Sequence, residues 1–360
     1  MTIGVALLDF GGPQGPDELV GFLTELLTDV LPGPKWLRAG AAGFIAPRRA
    51  KIVGPNYEEI GWSPLVPTHY AQADALRERL GPDGPPVASG MQFTAPTMDD
   101  CLESLVSQGV DRFIALPMYP HYSLATTGAA FNFFFEALER RGMQKAPVHW
   151  VSAYPEHPAY IEALAATIRE GAEAMEGPAD EPIHLLFTPH GLPVSFVQGQ
   201  GDPYPDHIRS TVRAVIAELG WTDPYHIGWQ SRVGPVQWLT PGTPEVMQRI
   251  KDAGGRRVCL VPISFAAEHI ETLHEIDIEY REDAEAMGIE FFGRAPALGM
   301  QPRFIDALAD LTQDAITSFD RYTCVRCLIP KPEAHRRRKN CPNCRFTFPD
   351  WAREGWGASS

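Results

Sequence analysis

The sequence predicts an α/β protein of two similar lobes, each a parallel sheet flanked by helices, with a functional cleft between them. Three observations lead there. Short apolar runs ending in Gly or Pro alternate with longer amphipathic stretches, the pattern of βαβ units. A polar bridge containing Gly and Pro, EGPADEP at 176–182, interrupts that alternation near mid-chain. The halves on either side echo each other, LLDFGGP (7–13) against FTPHGLP (187–193) and DRFIALP (111–117) against RRVCLVP (256–262). Residues 1–178 and 179–320 are therefore read as the two lobes, and 321–360 as a cysteine-bearing tail.

In chain order, VALLDF predicts the first strand and 17–30 a helix. The stretch 44–65, FIAPRRAKIVGPNYEEIGWSPL, reads as turn-rich because of Pro47 and Pro55. VASGMQF is a strand followed by a helix over 97–108, FIALPMY a strand followed by one over 127–141, and VHWVSAY a strand followed by one over 158–175. Beyond the bridge, IHLLFTP, YHIGWQS and VCLVPISF read as strands, and GDPYPDHIRSTV (201–212) as a Pro-stiffened turn entering a helix. The segment AEHIETLHEIDIEY (267–280) then follows directly on a strand and reads as a helix.

A net charge of −14 with a pI near 5.2 argues against nucleic-acid binding, which needs a basic field. MTIGVALLDF opens on a strand-like run instead of a basic region with a cleavage site, and no apolar stretch approaches the ~18 residues of a membrane span. A cytoplasmic protein is the expectation.

The chemistry concentrates at strand ends, where crevices of parallel sheets lie. The echo pairs Phe10 of one half with His190 of the other, which predicts a cleft with one apolar wall and one proton-accepting wall. As a helix, 267–280 stacks Glu271, Glu275 and Glu279 along one face about 6 Å apart, while Ile270, Leu273, Ile276 and Ile278 turn elsewhere. An acidic row by itself is ordinarily a solvated face. This one lies at the mouth of a sheet, carries His269 and His274, and has no Lys or Arg before Arg281, features that suit a divalent cation or protons. His190, alone, would read as a structural hydrogen-bonder; the acidic segment in the same half gives it a partner.

Trp229 and Trp238, in WQSRVGPVQWL, could wall a flat aromatic ligand. Arg48, Arg49, Tyr57 and Ser63, with Tyr119, Tyr122, Ser123, Thr126 and Thr127, offer cationic and hydroxyl groups suited to a ligand bearing carboxylates.

Taken in order, LLDFGGP, FIAPRR, IGWSPL, YPHYSLATTG, PHGLP, GDPYP, WQSRVGP and HIETLHEIDIEY resemble the ferrochelatases, from about residue 3 to 318. The resemblance implies two Rossmann-like lobes and insertion of Fe(II), as substrate, into a porphyrin held between them, with no nucleotide. It places His190 over one porphyrin face with Glu271 as its acidic partner, one of the two taking a proton and the other escorting the metal. His269, Glu275 and Glu279 match the adjoining polar row, Phe265 and Trp238 match pocket residues, and Tyr57, Ser63 and Tyr119 match positions near the macrocycle. Two departures stand out: IGWSP is one residue shorter than the commoner IGGGSP, and PHGLP replaces the frequent AHSLP.

HIETLHEIDIEY, FGGP and YSLATTG are closer to the enzymes that metallate protoporphyrin IX, and Phe10 stands where the coproporphyrin III type often has tyrosine. A coproporphyrin enzyme, a related cobalt chelatase and a non-catalytic porphyrin- or haem-binding regulator are the alternatives. Residues 17–46 resemble the family's apolar lip over the pocket mouth; ordinary amphipathic helix packing explains much of that stretch, and peripheral contact at the inner membrane face is the other reading. The sequence carries no signal for the oligomeric state.

Of six cysteines, Cys324, Cys327, Cys341 and Cys344 form C-x2-C-x13-C-x2-C, whose spacing closes four thiolates around one ion. Zn(II) is the first expectation and a 2Fe-2S cluster the alternative. In the animal ferrochelatase pattern one cluster ligand is a cysteine within YSxxTTG, and here Leu124 stands there, so that ligand set does not carry over. HRRRK (335–339) between the knuckles reads as a solvated loop.

Overall fold

Strand β1 (Ile3–Asp9) is buried from Gly4 to Asp9, because it is an inner strand of a parallel sheet covered on both faces. The computed structural model describes residues 2–319 except 32, 233 and 235, so the cysteine tail lies outside the described residues. From β1 the chain runs through α1 (Pro16–Val30), α2 (Lys35–Glu59) and α3 (Leu65–Leu80) to β2 (Val87–Met91), then α4 (Met98–Ser107), β3 (Arg112–Pro117), α5 (Thr127–Arg140), β4 (Val148–Trp150) and α6 (Pro158–Glu173). The second sheet contains β5 (Ile183–Phe187), β6 (Tyr225–Ile227), β7 (Arg257–Val261) and β8 (Phe291–Arg294). Its helices are α7 (Tyr204–Leu219), α8 (Thr243–Asp252), α9 (Ile270–Leu273), α10 (Arg281–Met287) and α11 (Pro302–Thr317).

The two sheets have the same parallel order, β2-β1-β3-β4 and β6-β5-β7-β8. The echoed segments are thus equivalent strands: LLDFGGP and FTPHGLP run off β1 and β5, DRFIALP and RRVCLVP form β3 and β7. Two Rossmann-like α/β lobes account for both.

The lobes share a core. One cluster of buried side chains joins Val5, Leu7, Ile114 and Leu116 of the first sheet to Leu185, Phe187, Cys259 and Val261 of the second. Helices are also exchanged: α6 follows the first sheet but packs on α7 and α11, and α11 packs back on α3. At Gly171 of α6 a Cβ would fall 2.6 Å from the Cα of Ala295, an approach only glycine permits. Gln72 of α3 bridges the lobes, its Nε2 donating to the carbonyls of Ala266 (3.0 Å) and Gly299 (2.7 Å).

Two elements differ from their sequence readings. The turn-rich stretch is helical through Glu59, with Pro47 and Pro55 inside α2. The carbonyls four residues earlier, which lose their donors, belong to exposed Gly43 and Lys51 where water can replace them. The acidic segment is one short α turn followed by a π turn, Glu275–Tyr280, instead of a continuous α-helix. Strand β8 had no clear sequence signal, being four half-buried residues.

Candidate active site

His190 is presented by the chain leaving β5. Gly191 donates its N–H to the Gln230 carbonyl at 2.8 Å, and a Cβ there would stand 2.7 Å from that oxygen, so glycine lets the two segments close together beside the histidine. From the other side, the acidic segment brings the Glu271 Oε2 to 2.7 Å from His190 Nδ1. The pair is half-buried, 37% and 28% exposed, so it is accessible from the cleft.

The five carboxylates of 267–280 have different duties. Arg294 of β8 pairs with Glu268 at 2.9 Å and with Asp277 at 2.8 Å, and Glu268 also accepts the Ala297 N–H. Those two anchor the segment to the sheet. Glu279, exposed, pairs with His274 (3.3 Å), whose other nitrogen faces Glu59 of α2 at 3.3 Å. Glu271 and Glu275 remain as the inward carboxylates. Glu275 accepts from the Ser231 N–H (2.7 Å), the Ser231 hydroxyl (2.5 Å), Gln230 Nε2 (3.3 Å) and the Tyr280 hydroxyl (2.7 Å). The contact with Tyr280 spans five residues, the hydrogen-bond spacing of a π turn.

These surroundings separate the two acids. Burial would raise the Glu271 pKa, but the His190 charge and hydrogen bond, with His269 beside them, bring it down to about 2. Burial and the Glu271 charge raise Glu275 instead. For His190, burial lowers the pKa, but the Glu271 charge and hydrogen bond more than reverse this, leaving it raised. Burial lowers His269 despite Glu271 and Glu268 nearby; its Nε2 is 3.9 Å from Glu271, its Nδ1 is buried without a partner, and its ring lies 4.4 Å from that of Phe265.

An aromatic cluster packs beside the acidic segment. Phe10, off the end of β1, meets Phe93 edge to face at 4.7 Å and Phe22 at 6.2 Å. Ile270, adjacent to Glu271, packs into that same cluster with Tyr57. Tyr57 stacks on Trp62 (6.0 Å, 14°), and burial, with the Glu271 charge, raises its phenol. Tyr119 donates to Gln92 at 2.9 Å, and Trp238 pairs antiparallel with Pro193 just past His190. Ser63 is buried against Gly12, and Arg49 is exposed on α2.

The structure thus brings His190, Glu271, His269, Glu275 and Phe265 together, beside the cluster of Phe10 and Tyr57. Sequence reading passed over Ser231, Gln230, Tyr280 and Arg294, and also Asp9, which accepts the Phe10 N–H (2.8 Å) and contacts buried His69 (3.2 Å). Only Ser231 and Gln230 carried a signal, as polar neighbours in WQSR at a strand end. Among the described residues no set of three or more His, Cys, Asp or Glu closes around one point as a metal cage. The arrangement offers a basic nitrogen and a charged carboxylate in contact, a second carboxylate one step away, and an aromatic cluster packed beside them.

Comparison with known proteins shows the family of the chain. The ferrochelatase family profile matches residues 2–316. A ferrochelatase of Geotalea uraniireducens is 41% identical over 318 residues, covering 87% of this chain and 98% of that protein. One from Synechocystis is 38% identical over 344 residues, covering 93% and 87%. Among solved structures, the sirohydrochlorin chelatase SirB of Bacillus subtilis, in a complex with cobalt, shares the fold, with a TM-score of 0.53 at 9% identity, over 89% of this chain and 97% of that one.

Proposed function

The chain belongs to the ferrochelatase family, enzymes that insert metal into porphyrins, and on that premise we propose that its substrates are Fe(II) and protoporphyrin IX and its product protohaem. The observation that carries the site assignment is the 2.7 Å contact between His190 and Glu271, whose neighbour Ile270 packs into the aromatic cluster of Phe10 and Tyr57. Metallation removes two pyrrole N–H protons as Fe(II) forms bonds to the ring nitrogens, so charge balances with two protons released.

In this reading neutral His190 accepts a pyrrole proton through Nε2, the ring nitrogen that Glu271 does not occupy. Glu271, held ionised, stabilises the imidazolium and meets the incoming Fe(II). Glu275 is the next carboxylate outward and Glu279 the outermost, with His269 alongside. Phe10, Phe265, Trp238, Tyr57 and Tyr119 bound the macrocycle, while Arg49 and Ser63 serve its carboxylate-bearing rim.

Residues 1–178 and 179–320 act as the lobes of one catalytic unit, and 321–360 as a Zn(II)-binding appendage. Replacing Cys324 and Cys341 by Ser would release the metal, and unchanged metal content would refute the four-thiolate site. A cytoplasmic enzyme touching the inner membrane face fits the apolar residues exposed on α1 and α2, Trp36 at 76% and Phe44 at 64% among them, while no helix of the described residues is long and apolar enough to cross a membrane.

The deciding experiment gives the purified protein protoporphyrin IX with Fe(II) under anaerobic conditions, or with Zn(II), and follows the free-base spectrum. Its loss over many turnovers supports the assignment. Stoichiometric binding without turnover would indicate a ligand trap, and turnover confined to coproporphyrin III would move the substrate.

A further inference from the structure

Ser231 holds an unfavourable backbone conformation beside the reacting pair. Its φ is +61°, and it and Trp62 are the non-glycine residues with left-handed φ among the described residues. An L residue adopts that region at a cost that glycine avoids. Such strain persists where the surrounding contacts require the side chain.

The contacts of Ser231 identify the requirement. Gln230 is bridged to His190, and its N–H donates to the Pro189 carbonyl, so the segment is indexed against the histidine. At the next residue the left-handed turn aims both the Ser231 N–H and its hydroxyl at Glu275, one on each carboxylate oxygen, at 2.7 and 2.5 Å. The neighbouring Gln230 Nε2 reaches the Glu271 carbonyl and Glu275 Oε2, each at 3.3 Å. Gln230 and Ser231 together therefore tie the segment bearing Glu271 and Glu275 to the stretch that presents His190. Outside Glu275 a cavity of about 320 Å³, lined by Ser231, Arg232, Glu245 and Tyr280, opens toward solvent.

We propose that Ser231 is a positioning residue for metal delivery: its hydroxyl fixes Glu275 beside Glu271 so that a divalent cation passes from one carboxylate to the other, and the left-handed backbone is retained for that contact. The inference rests on the ferrochelatase reading and adds a role to a residue that neither binds porphyrin nor takes a proton.

The discriminating variants are Ser231→Gly and Ser231→Ala, studied in the full chain. Glycine relieves the backbone and keeps the N–H to Glu275, removing only the hydroxyl, whereas alanine removes the hydroxyl and keeps the strain. With Fe(II) and porphyrin varied separately, both should lose about tenfold in kcat/KM for Fe(II), the scale of one hydrogen bond to a charged group. The KM for porphyrin should stay unchanged, and the glycine variant should melt at or above the parent temperature. Unchanged kcat/KM for Fe(II) in Ser231→Gly, or a porphyrin KM that rises in step, overturns the inference. A parent protein that metallates no porphyrin overturns the ferrochelatase reading instead, and the two failures are told apart by that control.

Discussion

His190 and Glu271 each set the other's protonation, and both signs can be tested. His190 is raised by its partner, so its contribution to stability is complete below the ordinary histidine value and is lost as pH rises through the raised value. Glu271 is depressed, so its contribution is present above the ordinary carboxylate value and is lost as pH falls toward about 2. The ion pair is therefore complete between those two ordinary values. Because His190 must be neutral to accept a proton, kcat/KM should rise with pH along a limb lying above the free-histidine value of about 6.5. Glu271→Gln should move that limb to lower pH as well as reducing the rate; an unmoved limb would mean another group controls it. His190→Ala should lower kcat by roughly 10²–10⁴-fold, the usual worth of a positioned general base, with an unchanged circular dichroism spectrum.

At the scale of elements, the acidic segment works because β8 supplies what it lacks. Arg294, nearly buried, neutralises Glu268 and Asp277, and without it two carboxylates would face each other unpaired. Arg294→Gln is expected to destabilise the fold by about 3–5 kcal/mol, the cost of breaking a buried pair, measured by denaturant unfolding. It should also reduce activity, since the segment positions Glu271. The packing of α6 across the lobes gives an independent test. Gly171→Val must push the helix off the Ala295 backbone, and a loss of about 1–3 kcal/mol in unfolding free energy is expected.

For the whole molecule, a core shared by two sheets and helices exchanged between lobes predict one unfolding transition. Near- and far-ultraviolet circular dichroism should report coincident denaturant midpoints; a separate early transition would show that the lobes unfold independently. Phe187→Ala, at a fully buried position in that core, should cost about 3–5 kcal/mol. Phe10 leaves β1 of one lobe and His190 leaves β5 of the other, so their relative placement depends on the shared core as much as on the loops around it.

The alternating apolar runs determined the two parallel sheets, and the echoed strand ends determined that Phe10 and His190 occupy equivalent places, because hydrophobic period and strand-terminal Gly and Pro are local signals. The motif strings likewise determined the family. Only the tertiary structure decided which acids are available: Arg294 is fifteen residues beyond Glu279, and its pairing with Glu268 and Asp277 follows from the β7–β8 register. It also decided that Pro47 and Pro55 lie within a helix, since packing against α1 and hydration of the outer face outweigh their local preference. The contact between His190 and Glu271 belongs to that second group, because it joins residues 81 positions apart and exists only where two segments leave neighbouring strands of one sheet.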